Sequence, residues 1–218
     1  MLSDPLAERD PWLGRPSIDW DTTLKFRHSL WDQGMHLAEA MDTAQRGMGV
    51  DWEAAKELIN RTMREAKAHP LKPRVAWGAG TDQLTLDQPT SDVAIIAAYS
   101  EQMEAIEAAG GQSIIMASRA MIAAGKGPNF YARVYAKLIE QAAEPVILHW
   151  LGDMFDPAIK GYWGSDDLDE AADSVLTIIN QHTDKIVGIK VSLLEQEQEK
   201  KIRARLPDEG TPLYWRRL

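Results

Sequence analysis

The chain has 218 residues, no cysteine and a formal net charge of -9, with 44% hydrophobic and 26% charged residues. That length suits one domain or a small pair, with enough apolar side chains for a sizeable core. The composition excludes disulfides and thiolate metal sites. The acidic balance argues against a protein that lives on nucleic-acid phosphates, although a few local cations would still hold an anionic small molecule. No run of 18 apolar residues is present, so no segment is expected to span a bilayer. The opening stretch Met1–Asp10 lacks the charged-then-apolar pattern of a secretory signal, and a cytoplasmic location is the expectation.

Residues 1–19 are rich in Pro, Asp and Gly without a clear period and read as an irregular lead-in. A helix is predicted over 20–33, capped by Asp21 or Thr22. The short segment His36–Met41 follows Gly34 and reads as a strand. Residues 51–68 form an amphipathic helix with Asp51 as its cap. Arg74–Gly78 reads as a strand entering a glycine-rich loop. Ser91 or Asp92 then caps a long helix to about Ala109, closed by Gly110 and Gly111. Gln112–Ala117 is a buried strand, and 129–143 a helix capped by Asn129. Pro145–Trp150 is a strand, Asp167 starts a helix to about Gln181, Lys185–Val191 is a strand, and 194–205 is a last, highly charged helix.

The strand centres fall near residues 38, 76, 115, 148 and 188, roughly 35–40 residues apart with a helix after each. Right-handed crossovers close such units into a (β/α) barrel or an open doubly wound sheet. No dinucleotide glycine fingerprint follows the first strand, and Gly78-Ala-Gly80 is too short to be one. The barrel is therefore preferred, with functional residues at the C-terminal strand ends. The eight tryptophans suit core packing first and pocket walls second. The charge runs in 51–67 and 195–201 are solvated helix faces. Gly125-Lys-Gly-Pro128 is a loop free to close over a ligand, and not a Walker motif.

The strand Lys185–Leu193 separates into two faces. Val187, Ile189, Val191 and Leu193 are uniformly apolar and should pack on helices, while Ile186, Gly188, Lys190 and Ser192 point to the barrel interior. Burying an ammonium costs several kcal/mol unless it is paired or loses its proton. Desolvation favours the neutral amine, which attacks carbonyls. The plainer alternative is a strand-end lysine that snorkels to solvent or pairs with an acid.

Ile186-Val-Gly-Ile-Lys190 is similar to the sixth-strand motif of the dihydrodipicolinate synthase and N-acetylneuraminate lyase superfamily. Pro145-Val-Ile-Leu-His-Trp150 resembles that superfamily's fifth strand, and Val75-Ala-Trp-Gly-Ala-Gly80 its third. The longer motifs are Glu39-Ala-Met-Asp-Thr-Ala-Gln-Arg-Gly-Met-Gly49, Gly78-Ala-Gly-Thr-Asp-Gln83 and His149-Trp-Leu-Gly-Asp-Met-Phe-Asp-Pro157. They resemble one synthase-like group, domain of unknown function 993, over residues 20 to about 207.

The resemblance implies a (β/α) barrel in which Lys190 forms an imine with a 2-oxo acid or related carbonyl compound, without a cofactor or metal. His149 or Glu39 would move protons. Asp42, Thr43, Arg119 and Asp82 would bind the polar or anionic end of the substrate. The partners implied are a small-molecule carbonyl substrate and room for a homo-oligomer, with neither nucleic acid nor membrane. Two departures stand out. The superfamily's relay tyrosine at the end of the fourth strand is absent from Met116-Ala-Ser-Arg-Ala120, where Arg119 stands near that place. The paired hydroxyls of the second-strand loop are reduced to Asp42-Thr43.

The barrel also reads as incomplete, with about five parallel strands matching the family's second to sixth where eight close a barrel. Residues 20–206 are the barrel portion, and 207–218 an aberrant or truncated tail. The family pattern expects Leu-Tyr-Thr-Gly-Asp-Asp-Phe where the chain reads Leu213-Tyr-Trp-Arg-Arg-Leu218. A two-base shift of register would convert one into the other.

Two other readings are kept. One is a metal-dependent barrel enzyme (isomerase, epimerase or aldolase) on a sugar-like substrate, using strand-end carboxylates such as Asp153 with His149. The other is a non-catalytic fragment or binding protein.

Overall fold

Strands buried on both faces need amphipathic helices to cover them, and the chain alternates the two along its length. The computed structural model describes residues 18–42, 45–85, 90–125, 127–207 and 213–215. Strand order along the sheet follows chain order, and the described pairings are parallel. The fold is thus α/β, a portion of a (β/α) barrel. The chain divides into two compact units, one running to Gly78 and including Ala105–Gln112, the other made of Ala79–Glu104 and the residues from Ser113 onward.

The first unit contains α1 (Trp20–Trp31), β1 (Leu37–Glu39), a 3-10 turn at Arg46–Met48, α2 (Trp52–Ala68) and most of β2 (Val75–Ala79). The cap of α1 is Asp19 rather than Asp21 or Thr22. Its carboxylate accepts from the Thr22 amide at 3.0 Å and from the Thr22 hydroxyl at 2.6 Å. A capping oxygen has to stand about three residues ahead of the amide it satisfies, and Asp19 does. Asp51 caps α2 as expected, accepting from the Ala54 amide at 2.8 Å. Leu37, Ala38 and Glu39 pair with Val75, Ala76 and Trp77. Trp31, Ile59, Trp77 and Ile106 are fully buried in this unit. A Cβ on Gly111 would stand 2.6 Å from the Trp77 indole, so only glycine lets the chain pass there.

Helix α3 (Asp92–Ala109) belongs to the second unit up to Glu104 and to the first from Ala105, and ends at Gly110 with a left-handed φ of 84°. The Ala94 amide donates to the Ser91 hydroxyl, which makes Ser91 the cap.

The second unit holds β3 (Gln112–Ile115), α4 (Arg119–Ala123), α5 (Pro128–Gln141), β4 (Val146–Leu151), α6 (Leu168–Gln181), β5 (Ile186–Ser192), α7 (Gln196–Ala204) and β6 (Leu213–Trp215). Helix α5 starts one residue before the expected Asn129, with Pro128 in its first turn and Gly127 at the cap position. Proline's fixed φ suits that first position, and its missing N–H costs nothing there. Asp167 caps α6 through the amides of Asp169 and Glu170. The five-residue α4 and the short β6, parallel to β5, are elements that the apolar periodicity does not reveal. Lys126, the centre of the expected Gly125–Pro128 loop, lies outside the described residues. The core is aromatic around Trp163, whose ring meets those of Tyr131, Tyr135, Trp150 and Tyr162 with centroids 4.7–6.3 Å apart. Among the described residues no helix is long and apolar enough to cross a membrane.

Candidate functional site

Lys190 and His149 stand opposite each other on neighbouring strands, and a bulge puts them there. Val146 pairs with Ile186 and Ile147 with Gly188, so Val187 is skipped, and from that point His149 lies opposite Lys190 and Leu151 opposite Ser192. Without the extra residue His149 would oppose Ile189, with its side chain on the other face of the sheet from that of Lys190. Trp150 and Leu193 line a cavity together with Leu168 and Ala171 of α6. Theirs is the helix-covered face, so His149, Lys190 and Ser192, at alternate positions, occupy the other one.

There the three side chains form a triangle. The Lys190 Nζ lies 2.9 Å from His149 Nε2 and donates to Ser192 Oγ at 3.1 Å, and Nε2 stands 3.3 Å from Oγ. His149 is fully buried, while Lys190 and Ser192 are half-buried. Two N–H groups facing each other at 2.9 Å would repel. An ammonium donating here requires Nε2 as acceptor, which is the tautomer with the imidazole proton on Nδ1. In that tautomer the contact aims an ammonium proton at a basic ring nitrogen. Ser192 is the member of this triangle that the sequence reading placed on the face of Lys190 without giving it a role. Its i+2 spacing from Lys190 was the available signal.

In the first unit Glu39 ends β1 and forms a buried ion pair with Arg27 of α1. Burial pushes the Glu39 carboxyl above its usual range, and the Arg27 guanidinium pulls it back only in part. The Glu39 Oε1 and Arg27 Nε are buried with no hydrogen-bond partner among the described residues. Ala40 follows with a left-handed φ of 50°, a conformation that strains a non-glycine residue. Arg46 is anchored by donation to the Gly78 carbonyl at 3.0 Å. The Asp42 carbonyl accepts from the Gly47 amide, and Thr43 lies outside the described residues.

The remaining expected substrate-binding residues are held by protein groups in the second unit. Arg119 forms a two-pronged pair with Asp156, Nε to Oδ2 at 2.7 Å and Nη2 to Oδ1 at 3.0 Å. An incoming anion would have to displace that carboxylate. Asp82 accepts from Gln102 Nε2 at 2.9 Å, and the Gln102 side-chain Oε1 accepts from the Gly80 amide at 2.7 Å. Gln102, fully buried, is what positions this loop. The strand end that lacks a tyrosine in sequence receives one from a distance, since the Ser118 amide donates to Tyr162 Oη at 3.2 Å. Tyr135 Oη lies 3.0 Å from the same oxygen, and burial pushes both phenols well up, so they act as neutral hydrogen-bonding groups. Among the described residues no three His, Asp or Glu side chains converge to hold a metal.

A parallel sheet in chain order with helical crossovers is the architecture of part of a (β/α) barrel. The chain is similar in structure to dihydrodipicolinate synthase from Oceanobacillus iheyensis, with a TM-score of 0.58 and 16% identity, over 92% of this chain. It spans 56% of the length of that synthase. None of the curated proteins matches it. The model of the family described as "Protein of unknown function (DUF993)" matches residues 1–214, and the chain belongs to that family.

Proposed function

We propose that the chain carries the imine-forming site of an aldolase- or lyase-type enzyme acting on a 2-oxo acid or related carbonyl compound. The observation that carries this reading is the 2.9 Å contact between Lys190 Nζ and His149 Nε2. An ammonium has no lone pair, so attack on a carbonyl requires prior loss of a proton, and Nε2 is a base already in hydrogen-bond reach.

His149 takes that proton, and the Lys190 nitrogen forms a bond to the carbonyl carbon as the C=O π pair moves to oxygen. The adduct nitrogen passes a proton to the oxyanion, and the imidazolium returns its proton to the resulting hydroxyl, which leaves as water and gives the protonated imine. Ser192 positions both groups and is a second, neutral donor for the developing oxyanion. Glu39 is the other proton carrier in this reading. His149 is better placed because it touches the amine, whereas Glu39 is engaged by Arg27. Asp42, Thr43, Arg119 and Asp82 bind the polar end of the substrate in the same reading, with Arg119 recruited only as Asp156 gives way.

The test is borohydride reduction of the chain with pyruvate and a panel of longer 2-oxo acids, followed by peptide mass analysis. A reduced adduct on Lys190 that is lost in Lys190→Arg is expected. Adducts spread over surface lysines, or none at all in a folded chain, would reject the reading.

A further inference from the structure

The connection from α2 to β2 in the first unit, residues 69–74, is held by histidine rings. Pro70 and Pro73 have no N–H, so after His69 the backbone donors are Leu71, Lys72 and Arg74. The Leu71 amide donates to His69 Nδ1 at 3.3 Å, and the Arg74 amide to His36 Nδ1 at 3.0 Å. The Lys72 amide donates to the His69 carbonyl at 3.1 Å. Lys72 has a left-handed φ of 45°, a conformation that strains a non-glycine residue. A ring nitrogen that accepts an amide proton carries none of its own, so each ring holds the connection only with Nδ1 bare and its proton on Nε2. His69 is buried, and its Nε2 lies 3.1 Å from Asp32 Oδ1 at the end of α1. The His28 ring of α1 stands 5.4 Å from that of His69, and its own Nε2 lies 3.1 Å from Glu65 Oε2 of α2. His36 is exposed, as are the two cations of the connection, Lys72 and Arg74.

We infer that this connection is an acid-released hinge at the entrance to β2. Imidazole changes charge between about pH 5 and 8. Protonation adds an N–H at Nδ1 of each ring, where it meets a backbone N–H, and acceptance turns into repulsion between two donors. The charged His69 ring is kept in place by Asp32, a contact that gains strength with the charge, so the ring stays and the turn leaves it. Glu65 compensates the neighbouring His28 in the same way. Leu71 and Arg74 lose their acceptors together, and the bond that remains belongs to the strained Lys72. The β1–β2 ladder, and the donation from the Leu37 amide to the Arg74 carbonyl, use backbone groups alone, so the release stops at the start of β2. Leu71 is 58% exposed, so opening uncovers little apolar surface. The inference is independent of the imine chemistry, because no group of the Lys190 site takes part in it.

The test is amide hydrogen exchange on the whole chain between about pH 7.5 and pH 5.5, expressed as protection over the unstructured rate at each pH. Protection at Leu71 and Arg74 should fall by about tenfold in acid, the worth of one hydrogen bond. The His69 and Leu37 amides, bonded to the backbone carbonyls of Glu65 and Arg74, should keep theirs. The double variant His36→Asn/His69→Asn puts a carboxamide oxygen near each Nδ1 position, an acceptor that does not titrate. It should hold Leu71 and Arg74 protection level over the same range. Nitrogen chemical shifts of the wild-type rings give a reading that does not depend on the variant folding: Nδ1 of His36 and His69 should be bare at the upper pH and gain a proton in step with the loss of protection. The inference is overturned by unchanged protection at Leu71 and Arg74, by equal loss at His69 and Leu37, by acid loss that persists in a folded double variant, or by an Nδ1 that already carries a proton at the upper pH.

Discussion

Two strand ends in this molecule treat buried charge in opposite ways. At the end of β1 the Glu39 carboxylate is matched with Arg27 inside the first unit, a cation against an anion. At the ends of β4 and β5 the Lys190 amine meets a base and a hydroxyl, His149 and Ser192. An ion pair holds both charges where they are, because either proton shift leaves the partner uncompensated in a low dielectric. An amine against an imidazole puts a base within hydrogen-bond reach of the nitrogen, so loss of the ammonium proton can be coupled to attack on a carbonyl. The first arrangement is suited to holding a strand end in place, the second to chemistry.

That contrast breaks most visibly at Lys190. Lys190→Met should abolish the borohydride-dependent adduct while leaving the urea midpoint near wild type, since the residue is half-buried and its methylenes are preserved. An adduct that survives elsewhere would collapse the comparison. Next in size is His149→Gln, which keeps a polar group in the buried position but removes the base. The rate of imine formation should fall by roughly 10²–10⁴, with a changed pH profile because one proton acceptor is gone. An unchanged pH profile would assign His149 a structural role only.

Glu39→Ala should cost about 3 kcal/mol in denaturant unfolding, because Arg27 is left buried without its anion, and should leave the Lys190 adduct intact. The milder Glu39→Gln tests the direction of the Glu39 shift. A carboxyl raised in the folded state adds stability that is fully present below its unfolded pKa and is lost as pH rises through the folded value. The stability gap between wild type and Glu39→Gln should therefore narrow from acid toward neutral pH. A widening gap would mean that Arg27 outweighs burial. Ser192→Ala, removing one hydroxyl from the triangle, should slow imine formation by about tenfold, the worth of one hydrogen bond. Smallest is Arg119→Gln, whose partner-side pair with Asp156 is largely exposed on the arginine and should change stability by less than about 1 kcal/mol.

The periodic parts of the fold were legible in the chain itself. The strands around residues 38, 76, 115, 148 and 188 and the helices α2, α3 and α6 fall where alternation and caps put them, because burial of one face imposes a repeat on the sequence. Elements too short to repeat, such as α4 and β6, left no such mark. Lys190 could be picked out because a cation among Ile186, Gly188 and Ile189 violates the pattern of a buried strand.

Its contact with His149, a proton carrier that the resemblance implied, could not be read from the chain. His149 sits 41 positions away, and only the bulge that skips Val187 brings the two onto one face at hydrogen-bond distance. The same holds for Arg27 with Glu39, Arg119 with Asp156, and Tyr162 with Ser118: each pair joins separate elements through a register or a helix docking. Local composition determines which segments are strands or helices and which residues are out of place in them. Which side chains then meet is decided by long-range packing, where one residue of slip turns a strand over.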